Sequence, residues 1–486
     1  MLYRSTRNHN ETAVSTRAVL EGIAPGGGLY MPQNLHVDSF RWQSLLDLST
    51  AEMSHRILSH FLPEFRDMEG IVSRAYEGKF TCRELTPLVP VGDRYVLELF
   101  HGPTAAFKDV ALSVLPQLMA AAKQQEGVTE DIVILTATSG DTGKAALAGF
   151  ANVPGIEIVV FYPKDGVSPV QQAQMVTQEG GNVRVCAVEG NFDDAQTGVK
   201  EMFLRAKTER VGFRLSSANS INIGRLVPQL VYYFRAYADL VKLGRIRVGE
   251  QVDFTVPTGN FGNILAGYLA KCLGLPVGTL VCASNANNVL TDFLRTGTYD
   301  RNRPFRKTVS PSMDILISSN LERLLYLLSG RDAAYVAHLM EELKEKGRYT
   351  VTEEIRRALQ QEFFGVCCGD ADTEKTIGQV WRQTGYLCDT HTAVAFSAAA
   401  AYERERGSGN PMVVLSTASP YKFPEAVLRG LGQVPAEDPF DLMEQLEAFS
   451  GVRIPDGLRN LRDKPVLHRD TTAKEKMMDY LLEALK

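Results

Sequence analysis

This 486-residue sequence has no apolar run of about 18 residues, the length a membrane-spanning helix needs, so spanning classes are excluded. The apolar stretch Thr392–Ala401 is too short to span and reads as a buried, Ala-rich helix. An excess of one charge is missing too. Lys and Arg number 52 against 57 Asp and Glu, a formal net charge of −5. That balance leaves no concentrated basic surface for nucleic-acid phosphates. Cysteine is sparse: seven residues, an odd number, with no C-x-x-C. Neither a disulfide framework nor a zinc site is supported, and a reducing cytoplasm is expected. The adjacent pair Cys367–Cys368 reads as two structural thiols. Met1–Asn10 carries Arg4 and Arg7 but no apolar segment follows, so no secretory signal is visible. The 40 Gly and 22 Pro are scattered without period, which rules out collagen-like and low-complexity classes, and no internal repeat occurs.

What is present is ordinary globular composition, 44% hydrophobic and 22% charged. At roughly 150 residues per domain, the length suggests two to four domains. The first 85 or so residues mix amphipathic helix patterns with Gly/Pro loops such as 25–32. A different rhythm follows. Asp131–Leu135, Ile156–Tyr162, Val183–Val188, Asp253–Pro257, Thr279–Ser284 and Met412–Leu415 are β-branched runs separated by amphipathic helical segments. Such alternation predicts parallel sheets covered on both faces, an α/β fold with more than one sheet. Asp300–Met313 reads as a long loop and residues 321–364 as mainly helical. The tail beyond Gly432, with Pro435, Pro439, Pro455 and Pro465, is expected to pack on the outside.

Ligands of open α/β sheets bind where strand ends meet helix N-termini. Polar, Gly-rich loops stand at several such places. In His101–Asp109, Lys108 opens an apolar helix. A helix N-terminus disfavours a cation, so the lysine's pKa is expected to fall, as a Schiff-base lysine requires. The plain alternative is an ammonium reaching water. Thr136–Lys144 approaches a phosphate-binding P-loop but has Thr138 and Ala145 where that pattern needs Gly and Ser/Thr. What remains is a turn suited to a carboxylate or phosphate, or a helix cap by Asp141 or Thr142. Pro257–Asn263 lets backbone N–H groups approach an anion. Leu415–Pro424 offers the hydroxyls of Ser416, Thr417 and Ser419. In Asn219–Arg225, Ser220, Asn222 and Arg225 are placed to converge on an anion. Each loop alone is weak. A lysine with several anion-cradling turns is what pyridoxal phosphate requires.

The ordered set HGPTAAFKD, ATSGDTG, SANSINIGR, PTGNFGN and STASPYKF resembles threonine synthase, in the branch shared by enteric bacteria and fungi. The likeness runs from about Tyr3 to Leu431. It includes residues 28–32 and Ser312–Asp314. It implies the second fold type of pyridoxal-phosphate enzymes, tryptophan-synthase-β-like, with two parallel or mixed sheets flanked by helices and an N-terminal mixed region. The domains implied are 1–85, a small α/β domain at 95–215, a cofactor-binding domain from 86–94 and 216–431, and a tail at 432–486. The likeness further implies the following site roles: Lys108 forms the Schiff base with the cofactor. Gly259, Asn260, Phe261, Gly262 and Asn263 hold its phosphate, and Thr417 bonds its ring nitrogen. Ser139, Gly140, Asp141 and Thr142 receive the substrate carboxylate; Ser220, Asn222 and Arg225 are candidates for its phosphate. Many relatives of this fold type carry Asn where Asp141 stands, donating to the cofactor's phenolic oxygen. An ionised Asp cannot donate, so Asp141 serves another purpose or another donor replaces it.

The activity implied is conversion of O-phospho-L-homoserine and water to L-threonine and phosphate. The implied enzyme is a monomer or small homo-oligomer without metal, nucleic acid or membrane partners. Two alternatives stand beside it: a phospho-lyase of the same fold giving a 2-oxo acid and ammonia, and a non-catalytic amino-acid or nucleotide sensor. The intact Lys108 argues against the sensor.

Overall fold

The computed structural model describes residues 1–138, 140–208, 212–407 and 409–485. Two parallel sheets dominate. The larger has six strands in the order Phe363–Cys367, Val277–Ser284, Val252–Pro257, Met412–Ser416, Arg94–Glu98 and Leu88–Val91. All run parallel except the last, which is antiparallel to its neighbour and carries Pro90 at the sheet edge. Proline donates nothing to a ladder, so an edge is where it fits. The smaller sheet is wholly parallel, in the order Asp470–Ala473, Val183–Glu189, Ile156–Pro163, Asp131–Ala137 and Phe213–Ser216. The central strands of both are buried along almost their whole length, matching sequences in which apolar and β-branched residues dominate. The N-terminal region is a three-stranded antiparallel sheet with flanking helices.

The helix Lys108–Gln125 joins the lobes. It contains Pro116, which lacks the N–H that would bond the Leu112 carbonyl. Gly149 of the helix Asp141–Phe150 packs at that carbonyl, and a Cβ there would lie 2.0 Å from Leu112 O. The missing hydrogen bond and the missing side chain thus let two helices approach closely.

Two expectations need correction. Residues 95–99 belong with the large sheet, because Tyr95–Glu98 pairs in parallel with Val413–Ser416. Residues 321–364 are mainly helical as expected, with three helices, and the edge strand Phe363–Cys367 follows the last of them. The tail does not merely lie outside. Leu442, Met443 and Leu446 pack into the large-lobe core, Asp470–Ala473 extends the small sheet, and Met477, Met478 and Leu481 complete its core. Apolar residues spaced along short helices supplied that burial. Among the described residues, no helix is long and apolar enough to cross a membrane.

Candidate active site

The loops at the carboxyl ends of Arg94–Glu98, Asp131–Ala137, Val252–Pro257 and Met412–Ser416 open into one cavity of about 2650 Å³. Lys108, Asp141, Thr142, Ser220, Asn222, Arg225, Gly259, Asn260, Phe261, Gly262, Asn263 and Thr417 line it. Sequence positions from 108 to 417 therefore share one chamber. Gly140 sits behind it in a conformation reserved for glycine, φ 142°, with the Gln171 side chain where a Cβ would go. Ser139 lies outside the described residues.

Lys108 is buried at the start of its helix. Its Nζ stands 3.5 Å from Ser312 Oγ and 3.8 Å from Asp141 Oδ2. Burial pushes its pKa down to about 8. Asp141 opposes that fall, and the charges of Lys422 and Arg225 add to it. Asp141 is the electrostatic centre. Its Oδ1 pairs with Lys422 Nζ at 2.7 Å and accepts from Gln171 Nε2 at 3.0 Å; its Oδ2 accepts from Ser312 Oγ at 3.2 Å. Burial alone would raise its pKa, but Lys422 and Lys108 more than reverse this and hold it below the usual carboxylate range. Asp141 is thus an ionised acceptor.

Two groups of donors remain for anions. The helix Gly262–Cys272 starts at Phe261, a non-glycine residue at φ 62°, with no side-chain cap. Its first N–H groups are therefore open, as an anion site requires. Asn263 Oδ1 accepts from the Tyr232 and Tyr233 hydroxyls at 2.7 and 2.9 Å, and its buried Nδ2 has no partner among the described residues. Close approach is built in at Gly259, where a Cβ would lie 2.8 Å from Ser312 O. Separately, Arg225 is buried, donates from Nη1 to Ala218 O at 2.6 Å, and leaves Nε unpaired. Burial lowers its pKa to about 10, so the guanidinium stays charged. These orphaned donors fit a phosphate-bearing cofactor and an anionic substrate.

Family models agree with this chamber. One described as pyridoxal-phosphate dependent enzyme matches residues 81–418; models of the threonine synthase N terminus and C-terminal region match residues 2–76 and 392–464. Threonine synthase of Pseudomonas aeruginosa is 41% identical over 442 residues, covering 90% of this chain and 92% of that one. The chain belongs to the threonine synthase family. Its cofactor is accordingly pyridoxal phosphate. Threonine synthase-like 1 of Homo sapiens is 39% identical over 435 residues, 86% of this chain, and the chain spans 58% of its length. Among solved structures, pyridoxal-phosphate-bound threonine synthase from Brucella melitensis has a TM-score of 0.88 at 39% identity, covering 99% of both chains. Yeast threonine synthase has a TM-score of 0.89 at 32% identity, covering 100% of this chain and 98% of that one.

The other sequence candidates differ in what they have free. Asn222 spends Oδ1 on Gly224 N and Nδ2 on Val19 O, both within 2.9 Å, so it caps a helix and ties it to the N-terminal region. Ser220 is held through Asn320 Nδ2, which also reaches Asn260 O. Among the three hydroxyls near residue 417, only Thr417 lines the cavity. Ser416 bonds Thr392 at 3.0 Å, and Ser419 accepts from Tyr421 N at 3.4 Å. Sequence reasoning assigned no role to Lys422, Ser312 or His391, although all three line the cavity. Lys422 was visible only as a cation inside a hydroxyl-rich motif.

Proposed function

We propose that this member of the threonine synthase family converts O-phospho-L-homoserine and water to L-threonine and phosphate, in the cytoplasm, as a monomer or small homo-oligomer. One observation carries the reading: a single cavity holds a lysine of depressed pKa and two separate sets of unsatisfied anion donors, Asn263 with its uncapped helix and Arg225. One set suits the cofactor phosphate and the other the substrate phosphate. Lys108 attaches the cofactor. Gly259, Asn260, Phe261, Gly262 and Asn263 hold its phosphate, and the Thr417 hydroxyl donates to its ring nitrogen. When bound, pyridoxal phosphate supplies an electron sink for negative charge developing on the substrate's carbon chain.

The chain's own residues do the rest. With a pKa near 8, Lys108 exists partly as the free amine at neutral pH. Once the substrate's amine has displaced it from the cofactor, Lys108 takes the proton from Cα and moves protons at Cβ and Cγ. Arg225 and Ser220 bind the phosphate that leaves Cγ; Asn222 orients the helix carrying Arg225. The Ser139–Thr142 loop receives the substrate carboxylate through its backbone and the Thr142 hydroxyl, since Asp141 spends its own carboxylate on the two lysines. Thr417 is neutral and leaves the ring nitrogen unprotonated, which favours elimination and replacement over amine transfer. The test is product analysis after incubating the purified, cofactor-loaded protein with O-phospho-L-homoserine. Threonine and phosphate in equal amounts support the reading. A 2-oxo acid with ammonia would transfer it to the phospho-lyase alternative, and no phosphate release would overturn both.

A further inference from the structure

We propose that His391 is a positioning residue for Lys108: as a neutral imidazole protonated at Nδ1, it anchors the Ser312 turn, whose hydroxyl bridges Lys108 and Asp141. This rests on the role given to Lys108 above. The tautomer follows from two contacts. Asp389 is fully buried at the start of the helix Thr390–Arg406 and accepts His391 Nδ1 at 2.7 Å, with His391 N at 2.9 Å and Thr392 N at 3.0 Å. A carboxylate in that web only accepts, so Nδ1 carries the proton. On the other edge of the ring, Ser312 N donates to Nε2 at 3.1 Å, so Nε2 presents its lone pair. The ring itself is buried and packed against Phe423 at 4.9 Å between centroids.

Ser312 lies in the short turn Pro311–Met313, and three of its groups are committed. Its N–H goes to His391. Its Oγ accepts from Lys108 Nζ and donates to Asp141 Oδ2. Its carbonyl lies where a Cβ on Gly259 would come, at 2.8 Å. Losing the His391 acceptor would free the turn at its N–H. Any movement then displaces both the hydroxyl that holds Lys108 Nζ and the wall of the Gly259–Asn263 cradle. Among the described residues, His391 is linked to Lys108 through Ser312.

The test uses the full chain and four variants: His391→Leu, His391→Gln, Ser312→Ala, and the Leu/Ala double. The first readout is the rate at which apoprotein captures added pyridoxal phosphate, fixed with borohydride and mapped to Lys108. The second is kcat and KM with O-phospho-L-homoserine. His391→Leu and Ser312→Ala each slow capture and lower kcat by about tenfold or more, with KM changed by less than about threefold. The double is no slower than the worse single, because both break one path. His391→Gln, whose amide oxygen can accept the Ser312 N–H, recovers most of the loss. Multiplying losses in the double, parental capture in Ser312→Ala, or His391→Gln as slow as His391→Leu would each overturn the proposal. If His391→Leu fails to fold, Ser312→Ala and His391→Gln still decide it. Capture does not depend on the substrate, so inactivity of the parent toward O-phospho-L-homoserine would refute the reaction alone.

Discussion

Replacing Lys422 by Met tests the electrostatic centre of the site. The Lys422 side chain is fully buried, and its Nζ lies 2.7 Å from Asp141 Oδ1 and 3.1 Å from Thr104 O. Met fills much the same volume but leaves Asp141, whose side chain is 4% exposed, without its nearest cation. Breaking a buried pair from one side costs about 3–5 kcal/mol. Asp141 keeps Lys108 at 3.8 Å, Gln171 at 3.0 Å and Ser312 at 3.2 Å, which places the loss near the lower end. We expect the apoprotein of Lys422→Met to be less stable by about 3 kcal/mol at pH 7, measured by urea denaturation.

The pH dependence has a definite sign. The folded pKa of Asp141 lies below its unfolded value. Its stabilisation is therefore fully present above the unfolded value of about 3.9 and is lost as pH falls through the lower, folded value. The gap between parent and variant should be widest above about pH 4 and close below it. The same substitution removes a like charge that helps burial hold Lys108 down, so cofactor capture should shift to higher pH. Adding Asp141→Asn should restore part of the lost stability, because the unpaired charge goes with it. A Lys422→Met stability within about 1 kcal/mol of the parent, or a further loss on adding Asp141→Asn, would refute the reasoning.

Three other outcomes follow from the site. Arg225→Ala should keep the cofactor bound but weaken O-phospho-L-homoserine binding by about 1.5–3 kcal/mol, read as KM or by competition with phosphate; loss of cofactor with normal substrate binding after reconstitution would exchange the two phosphate sites. Gly259→Ala puts a methyl 2.8 Å from Ser312 O and should weaken cofactor binding by about tenfold in a fluorescence titration, the strain of overpacking being about 1–3 kcal/mol. Thr417→Ser should stay near the parent. Thr417→Asp should keep the cofactor attached, alter its absorption when substrate is added and slow threonine formation, because a nearby carboxylate favours a protonated ring nitrogen; parental spectra and rate would show that another group meets the ring.

Legibility in the sequence followed how local each determinant is. The strand at Asp131–Ala137 is visible because burial on both faces demands an unbroken apolar run. The strand at Asp470–Ala473 is not, because a short polar edge strand obeys no such demand. Phe363–Cys367 was hidden because the strongly patterned helix before it runs straight into it. The ligand loops were legible for a related reason: glycines, hydroxyls and a misplaced lysine lie within a few residues of one another. Ser312 acts through partners 79, 171 and 204 residues away, on His391, Asp141 and Lys108. No window of sequence contains that set, and His391 looks like one more residue of an Ala-rich helix. The basicity of Lys108 has the same origin. Its helix position suggests a lowered pKa, but burial is the largest cause of the shift, and Asp141, Lys422 and Arg225, from three other segments of the chain, act on it in opposing directions. The sequence can therefore single out the amine proposed to bear the cofactor, whereas the pH at which that amine works is a property of the assembled cavity.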